Sequence, residues 1–290
     1  MTSLDVGRNK MKEIHVSEII DAVEKLCIDA NYYLKEDIYK ALTAALNAEK
    51  SENGRMVLEN IIKNARIAAE EKMPICQDTG MAVIFLQVGQ EVRITGGSLY
   101  DAVQEGVRRG YKNGYLRCSV VKNPLKRENT GDNTPAVIHT EIVDGSGLKI
   151  IVAPKGFGSE NMSAVAMLKP SDGIEGVVKF VVKTVSDAGA NPCPPVIVGV
   201  GIGGTMEKAA LLAKKALLRP LDLRSADPDI AELEKNLLAQ INKLGIGPAG
   251  IGGTTTALAV NIETYPTHIA GLPVAVNIGC HATRHASVIL

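Results

Sequence analysis

Three of the five cysteines share a setting that could do chemistry. Cys76 lies in Met-Pro-Ile-Cys-Gln, Cys193 in Ala-Asn-Pro-Cys-Pro-Pro and Cys280 in Asn-Ile-Gly-Cys-His-Ala. Each sits at the edge of a predicted strand, in a turn set by proline or glycine. Cys27 falls on the apolar stripe of a predicted helix and reads as core. Cys118 has strand character but no turn residue beside it. An odd cysteine count in a long chain with no visible export signal argues against a disulfide framework. The absence of C-x-x-C excludes zinc-ribbon and ferredoxin spacings. Reduced thiols of this kind are either inert core residues or chemically used ones. If the three converge, two metal readings are open. One is a three-thiolate zinc site. The other is an iron–sulfur cluster with one iron left without a protein ligand, free to act as a Lewis acid on a substrate hydroxyl.

The first of these turns is unusually dense. The stretch PICQDTG, residues 74–80, adds an amide, a carboxylate and a hydroxyl to the thiol, just ahead of the strand-like run Ala82–Val88. It is either an ordinary turn or one wall of a reaction centre.

Glycine patterns offer a competing chemistry. Gly199, Gly201 and Gly204 satisfy G-x-G-x-x-G between a predicted strand and a predicted helix, the arrangement that brings backbone amides to a dinucleotide pyrophosphate. The acidic residue expected at the end of a second strand is missing, because Asp222 lies in LRPLDLRS, which is no strand. Gly245, Gly247 and Gly250 repeat the pattern after a helix. Tight glycine turns beside a reaction centre, offering amides to an anion, account for both better than a nicotinamide cofactor does.

The elements that must position these residues read as mixed α/β. A helical N-terminal region is expected, with helices after Ser17, over 36–49 and over 54–71. Strand-like runs follow at 81–88, 135–143 and 148–154. A helix with a capping-box start opens at Ser98. Helices are then expected over 174–185, 205–218 and from Asp227-Pro228 to about Leu244, with strands at 195–200, around Val260 and at 272–276. The expected architecture is mixed β-sheets covered by helices. The segment 219–227 is the best candidate for a mobile connection. No internal repeat appears, so residues 1–290 are taken as one domain, with disorder expected over 1–14.

Composition narrows the partners. Lysine plus arginine equals aspartate plus glutamate, 32 each, which argues against a nucleic-acid or membrane partner. The charged N-terminus lacks the apolar core of a secretory signal, and no apolar run approaches the roughly 20 residues of a membrane helix. A cytoplasmic location is expected.

Six blocks together carry a resemblance. PICQDTG, NTGDNTPAVIH, PKGFGSEN, NPCPPVIVGVGIGGT, THIAGLPVAVNIGC and CHATRHAS occur in the order found in the alpha subunit of class I fumarate hydratase, the iron–sulfur type. The closely similar L-tartrate dehydratase alpha subunit shares them. The resemblance spans residues 15–290 and is specific because all six blocks keep their order.

The resemblance implies a 4Fe–4S cluster held by Cys76, Cys193 and Cys280, and a hydro-lyase that reversibly adds water to fumarate to give L-malate, a tricarboxylic acid cycle step. Eliminating water is hard because hydroxide leaves poorly and the departing C–H proton is weakly acidic. A Lewis acid and a nearby proton donor address the first difficulty. By motif, Asp78 and His268 match the family's catalytic pair. Gln77 matches a substrate contact, Arg117 the arginine that pairs with a substrate carboxylate, and Gly158 a backbone contact. Each has a plainer alternative. Asp78 could make an Asx turn before Gly80, His268 could cap a loop after Pro266, and Arg117 could be a solvated surface residue. His281 and His285 either support the cluster from behind or only pack, and His15 and His139 read as structural.

In single-chain relatives a second domain supplies the proton-abstracting base and further cationic residues. None of those motifs is present here. A separate beta subunit carrying the rest of the site is therefore expected, in a hetero-oligomer that binds a small dicarboxylate, fumarate/malate or tartrate; the alternative of a different class is a non-catalytic iron–sulfur binding or sensing module.

Overall fold

The computed structural model describes residues 11–290. Strand β1 (Lys12–His15) leads into helix α1 (Val16–Tyr32), then α2 (Glu36–Ala48) and α3 (Glu52–Glu71). Next come β2 (Met81–Gly89), β3 (Val92–Thr95), α4 (Leu99–Asn113), β4 (Val137–Val143) and β5 (Leu148–Lys155). The chain continues through α5 (Phe157–Glu160), β6 (Ala164–Leu168), α6 (Gly173–Ala188), β7 (Val196–Gly203), α7 (Met206–Ala216) and α8 (Pro228–Asn242). Strands β8 (Ala257–Tyr265), β9 (Leu272–Gly279) and β10 (Ala286–Ile289) follow. This is the mixed α/β class expected, with a helical start and mixed sheets. The disorder expected over 1–14 falls mostly on 1–10, outside the described residues. From Lys12 onward it is corrected, because β1 pairs in parallel with β3, Lys12 opposite Val92.

The chain divides into two compact units. The first takes in 11–31 of the described residues, Gln77–Pro154 and His285–Leu290. Its main sheet has the order β10-β5-β2-β4, with β2 and β4 parallel and β10 antiparallel to β5. Along β5 the period of two is plain: Leu148, Ile150 and Val152 are fully buried while their neighbours are partly open. The Ser98 hydroxyl accepts from the Asp101 amide and starts α4, as its sequence predicts. Helix α4 approaches α1 on small residues. A Cβ at Gly106 would lie 2.6 Å from the Val23 Cβ, and one at Gly110 2.7 Å from the Cys27 Cβ. Cys27 is thus sealed in that contact, 0% exposed.

The second unit takes in Tyr32–Cys76 and Lys155–Arg284. Its sheet has the order β6-β9-β7-β8, with β7 parallel to β8 and β9 antiparallel to β6 and β7. Strand β7 is buried on both faces, and its alternation assigns each face a partner. Val196, Val198 and Val200 pack against Val181 and Val185 of α6 and Leu237 and Ile241 of α8. On the opposite face Ile197 packs with Ile38, Leu42 and Leu58. Each such aliphatic side chain contributes about 2 kcal/mol by leaving water.

Two expectations are corrected here. Gly199 and Gly201 do not offer amides to an anion. They lie inside β7 where α7 crosses it, and a Cβ on either would run into the carbonyl oxygen of Ala213 or Ala209. They are glycine so that helix and strand can touch. The segment 219–227 is pinned rather than free. The Arg219 guanidinium donates to the Ile262 carbonyl, the Leu221 amide to Asp37, and the Ser225 amide to the fully buried Glu234. Helix α8 starts as predicted, with Asp227 accepting from the Asp229 and Ile230 amides and Pro228 in the first turn.

Candidate active site

Cys76, Cys193 and Cys280 all belong to the second unit. Cys76 follows α3 after a turn whose Ile75 carbonyl accepts from the Asn64 amide at 2.8 Å. Ile75 packs in one apolar cluster with Ala68, Ala282 and Cys280, so the first and third turns share a floor. Cys193 holds a left-handed backbone, φ 54°, unusual outside glycine. Its amide donates to the Ala190 carbonyl at 3.1 Å. Cys280 directly follows β9, and the amide and hydroxyl of Thr283 both donate to its carbonyl, at 2.9 and 2.7 Å. His281 joins the second and third turns: its amide and its ring Nδ1 both reach the Cys193 carbonyl, the ring at 3.0 Å.

Partial burial raises the Cys193 pKa, and the nearby Cys280 and Cys76 thiols add to that shift. Yet among the described residues no three His, Cys, Asp or Glu side chains are placed to hold a single metal ion. A polynuclear cluster asks less of the three sulfurs than a single zinc ion does, because each cysteine binds a different iron. The donor set also fits such a group: thiolate ligands only, two half-exposed and one, Cys193, exposed.

A charged network unanticipated from sequence stands behind Cys280. Glu160 accepts from Lys214 at 2.7 Å and from the Asn277 amide at 2.9 Å, and pairs with Lys155 at 3.3 Å. Lys155 also donates to the Ser159 hydroxyl. Burial lowers the Lys155 pKa, while the charges of Glu160 and Cys280 oppose that shift. Burial pushes the Glu160 carboxyl up, but Lys155 and Lys214 more than offset it and hold it below its ordinary value. Lys155 and Glu160 do lie in the PKGFGSEN block. Lys214 carries no such signal, being one of several lysines on α7. Gly158, on α5, is exposed, and a Cβ there would be 3.6 Å from the Asn191 carbonyl of the Cys193 turn.

His268 lies on an exposed loop after β8, in the same unit. Thr267 anchors that loop by donating to the Gly204 carbonyl at 2.9 Å. The His268 Nδ1 accepts from the Ala270 amide, which leaves the proton of the neutral ring on Nε2.

Gln77, Asp78 and Arg117 belong to the first unit. Asp78 does make the Asx turn, accepting from the Gly80 amide at 3.0 Å. Gln77 is exposed. Arg117 is exposed too, and its guanidinium has no partner among the described residues. The rest of the 77–80 turn is tied down. The Tyr111 hydroxyl bonds the Thr79 and Gly80 carbonyls, both at 2.9 Å, and the buried Asn133 amide donates to the Gly80 carbonyl at 3.1 Å. Of the other histidines, His139 stacks on Phe85 at 5.2 Å, and His15 sets the start of α1 through Ser17 and Glu18.

Comparison with known proteins defines the class: this is a hydro-lyase. The model of the family described as "Fumarate hydratase (Fumerase)" matches residues 20–289, and the chain belongs to that family. Its relatives are consistent. A Methanocaldococcus jannaschii protein is 46% identical over 275 residues, covering 93% of this chain and 96% of that protein, and bears the provisional name L(+)-tartrate dehydratase subunit alpha. L(+)-tartrate dehydratase alpha subunits of Escherichia coli and Shigella sonnei are 34% and 33% identical, with 96% of this chain covered and 92% and 93% of theirs. No helix of the described residues is long and apolar enough to cross a membrane.

Proposed function

We propose that this chain is the alpha subunit of an iron–sulfur hydro-lyase that interconverts fumarate and L-malate. The observation that carries the proposal is the convergence of the three cysteine turns within one unit: Ile75, beside Cys76, packs with Cys280, and His281 bonds the Cys193 carbonyl. These three would hold a 4Fe–4S cluster. When bound, its open iron supplies Lewis acidity toward a substrate hydroxyl.

The chain's own residues do the rest. The unpaired Arg117 guanidinium receives one substrate carboxylate in the bidentate geometry that suits it. Gln77 and the Gly158 backbone orient the substrate. His268, when its ring is doubly protonated, donates the Nε2 proton to the departing hydroxyl and returns to the neutral form whose Nδ1 accepts from Ala270, and Asp78 is the second member of the catalytic pair. The base that removes the C–H proton is supplied by a separate beta subunit, so residues 1–290 act as one cluster-binding half of a cytoplasmic hetero-oligomer.

Tartrate dehydration is the second reading, favoured by the names of the relatives. It uses the same residues and differs by one substrate hydroxyl. Co-expression with the partner chain, followed by anaerobic assay on fumarate and on tartrate, tests both. Turnover of fumarate with little on tartrate supports the first and the reverse supports the second. Full activity from this chain alone would contradict the two-subunit proposal.

A further inference from the structure

Thr79 lies in the dense turn that opens the first unit's sheet, yet no chemistry assigned above uses it. It is 2% exposed. Its hydroxyl oxygen accepts from the Arg117 amide at 2.9 Å and donates to the Arg117 carbonyl at 3.2 Å. One side chain thus satisfies both backbone groups of one distant residue, as a neighbouring strand would. Arg117 lies beside Tyr115, whose φ is 50°, in a stretch outside any helix or strand. With no ladder to hold it, the backbone at 117 takes its orientation from Thr79.

The same region is tied a second time. The fully buried Asn133 accepts through Oδ1 from the Ser119 amide at 2.7 Å and the Val120 amide at 3.2 Å, while its amide group donates to the Gly80 carbonyl. The Tyr111 hydroxyl holds the Thr79 and Gly80 carbonyls from the α4 side. The 117–120 segment and the 77–80 turn are therefore one hydrogen-bonded body, and Thr79 is its only direct link to Arg117 among the described residues.

We propose that Thr79 is a positioning residue that sets the direction of the Arg117 guanidinium relative to the Gln77–Asp78 turn. The proposal rests on Arg117 binding a substrate carboxylate. A guanidinium binds a carboxylate well only when its fork meets both oxygens, so a swing of its backbone weakens binding before it touches proton transfer.

The test uses the co-expressed two-subunit enzyme. Thr79→Val keeps the shape and removes the hydroxyl; Thr79→Ser keeps the hydroxyl. The expected result is a KM for the dicarboxylate raised about tenfold in Thr79→Val with unchanged iron content, near-normal KM in Thr79→Ser, and no further effect of Thr79→Val in an Arg117→Ala background. Thr79→Ala gives the same reading if the valine variant does not fold. Normal KM in Thr79→Val, equal impairment in Thr79→Ser, or a full additive effect without Arg117 would overturn it. Hydrogen exchange at the Arg117 amide judges the link without turnover: protection falls in Thr79→Val and persists in Thr79→Ser, and unchanged protection in both refutes it. Failure of the wild-type enzyme on both dicarboxylates would instead retire the functional reading and leave the exchange result to decide the Thr79 link.

Discussion

The ring of His281 bonds the carbonyl of Cys193 across 3.0 Å, joining two cysteine turns that lie far apart in sequence. A carbonyl only accepts, so Nδ1 carries the proton, and burial keeps the ring's pKa below its ordinary value against the pull of that bond. His281 is therefore a neutral strut between Cys193 and its own neighbour, Cys280. Changing His281→Ala should leave all three thiols present but weaken iron retention about tenfold, the scale seen when groups behind metal ligands are lost. Iron per chain after graded chelation measures it, and wild-type retention would show that the strut is dispensable.

Glu49 carries a second prediction. Its buried carboxylate accepts from the amides of Lys50, Ser51, Thr254 and Thr255 and from the Thr254 hydroxyl, at 2.8–3.0 Å. It ties the start of α3, which leads to Cys76, to the loop whose Ala249 amide bonds the Pro194 carbonyl beside Cys193. Burial raises its pKa, but these hydrogen bonds overcome that and bring it to about 2 from an ordinary 4.5. A depressed carboxylate pKa stabilises the fold above the unfolded value and loses that contribution as pH falls through the folded one. The stabilisation, on the order of 3 kcal/mol, should be whole above about pH 5 and shrink toward pH 2. Urea midpoints of wild type and Glu49→Gln should differ widely at pH 6 and converge in acid, whereas a pH-independent gap would contradict this account.

Gly201 yields a third. A methyl there meets the Ala209 carbonyl and the Ala213 amide of α7, which are backbone and cannot swing aside. Gly201→Ala should cost about 3 kcal/mol, read as a lower thermal midpoint. The wild-type chain should gain no thermal stability from NAD, because these glycines serve packing. A rise in midpoint with NAD would restore the dinucleotide reading.

These cases show which parts of the molecule could be read from its residues. The Ser98 and Asp227 caps, the buried run of β7 and the apolar stripe holding Cys27 are local signals, and each forms where expected. The short strands β1, β3, β6 and β10 are missed, because four or five residues become a strand only through a partner, as Ala164 does opposite Val276. The glycine-rich run was open to two meanings, and only the crossing of α7 decides between them. At the candidate site, the turn residues around Cys76, Cys193 and Cys280 are what single these cysteines out in the sequence. The Lys155–Glu160–Lys214 network is invisible in sequence because contacts among α5, α7 and β9 create it.

The central claim is that three specific thiols hold one inorganic cluster. The direct measurement is iron and acid-labile sulfide per chain, after anaerobic reconstitution, in five single Cys→Ser variants. Variants at Cys76, Cys193 and Cys280 should lose most of both. Variants at Cys27, sealed between α1 and α4 with its thiol pKa pushed up by burial, and at Cys118 should keep them. Equal content in all five, or equal loss in all five, would contradict the assignment.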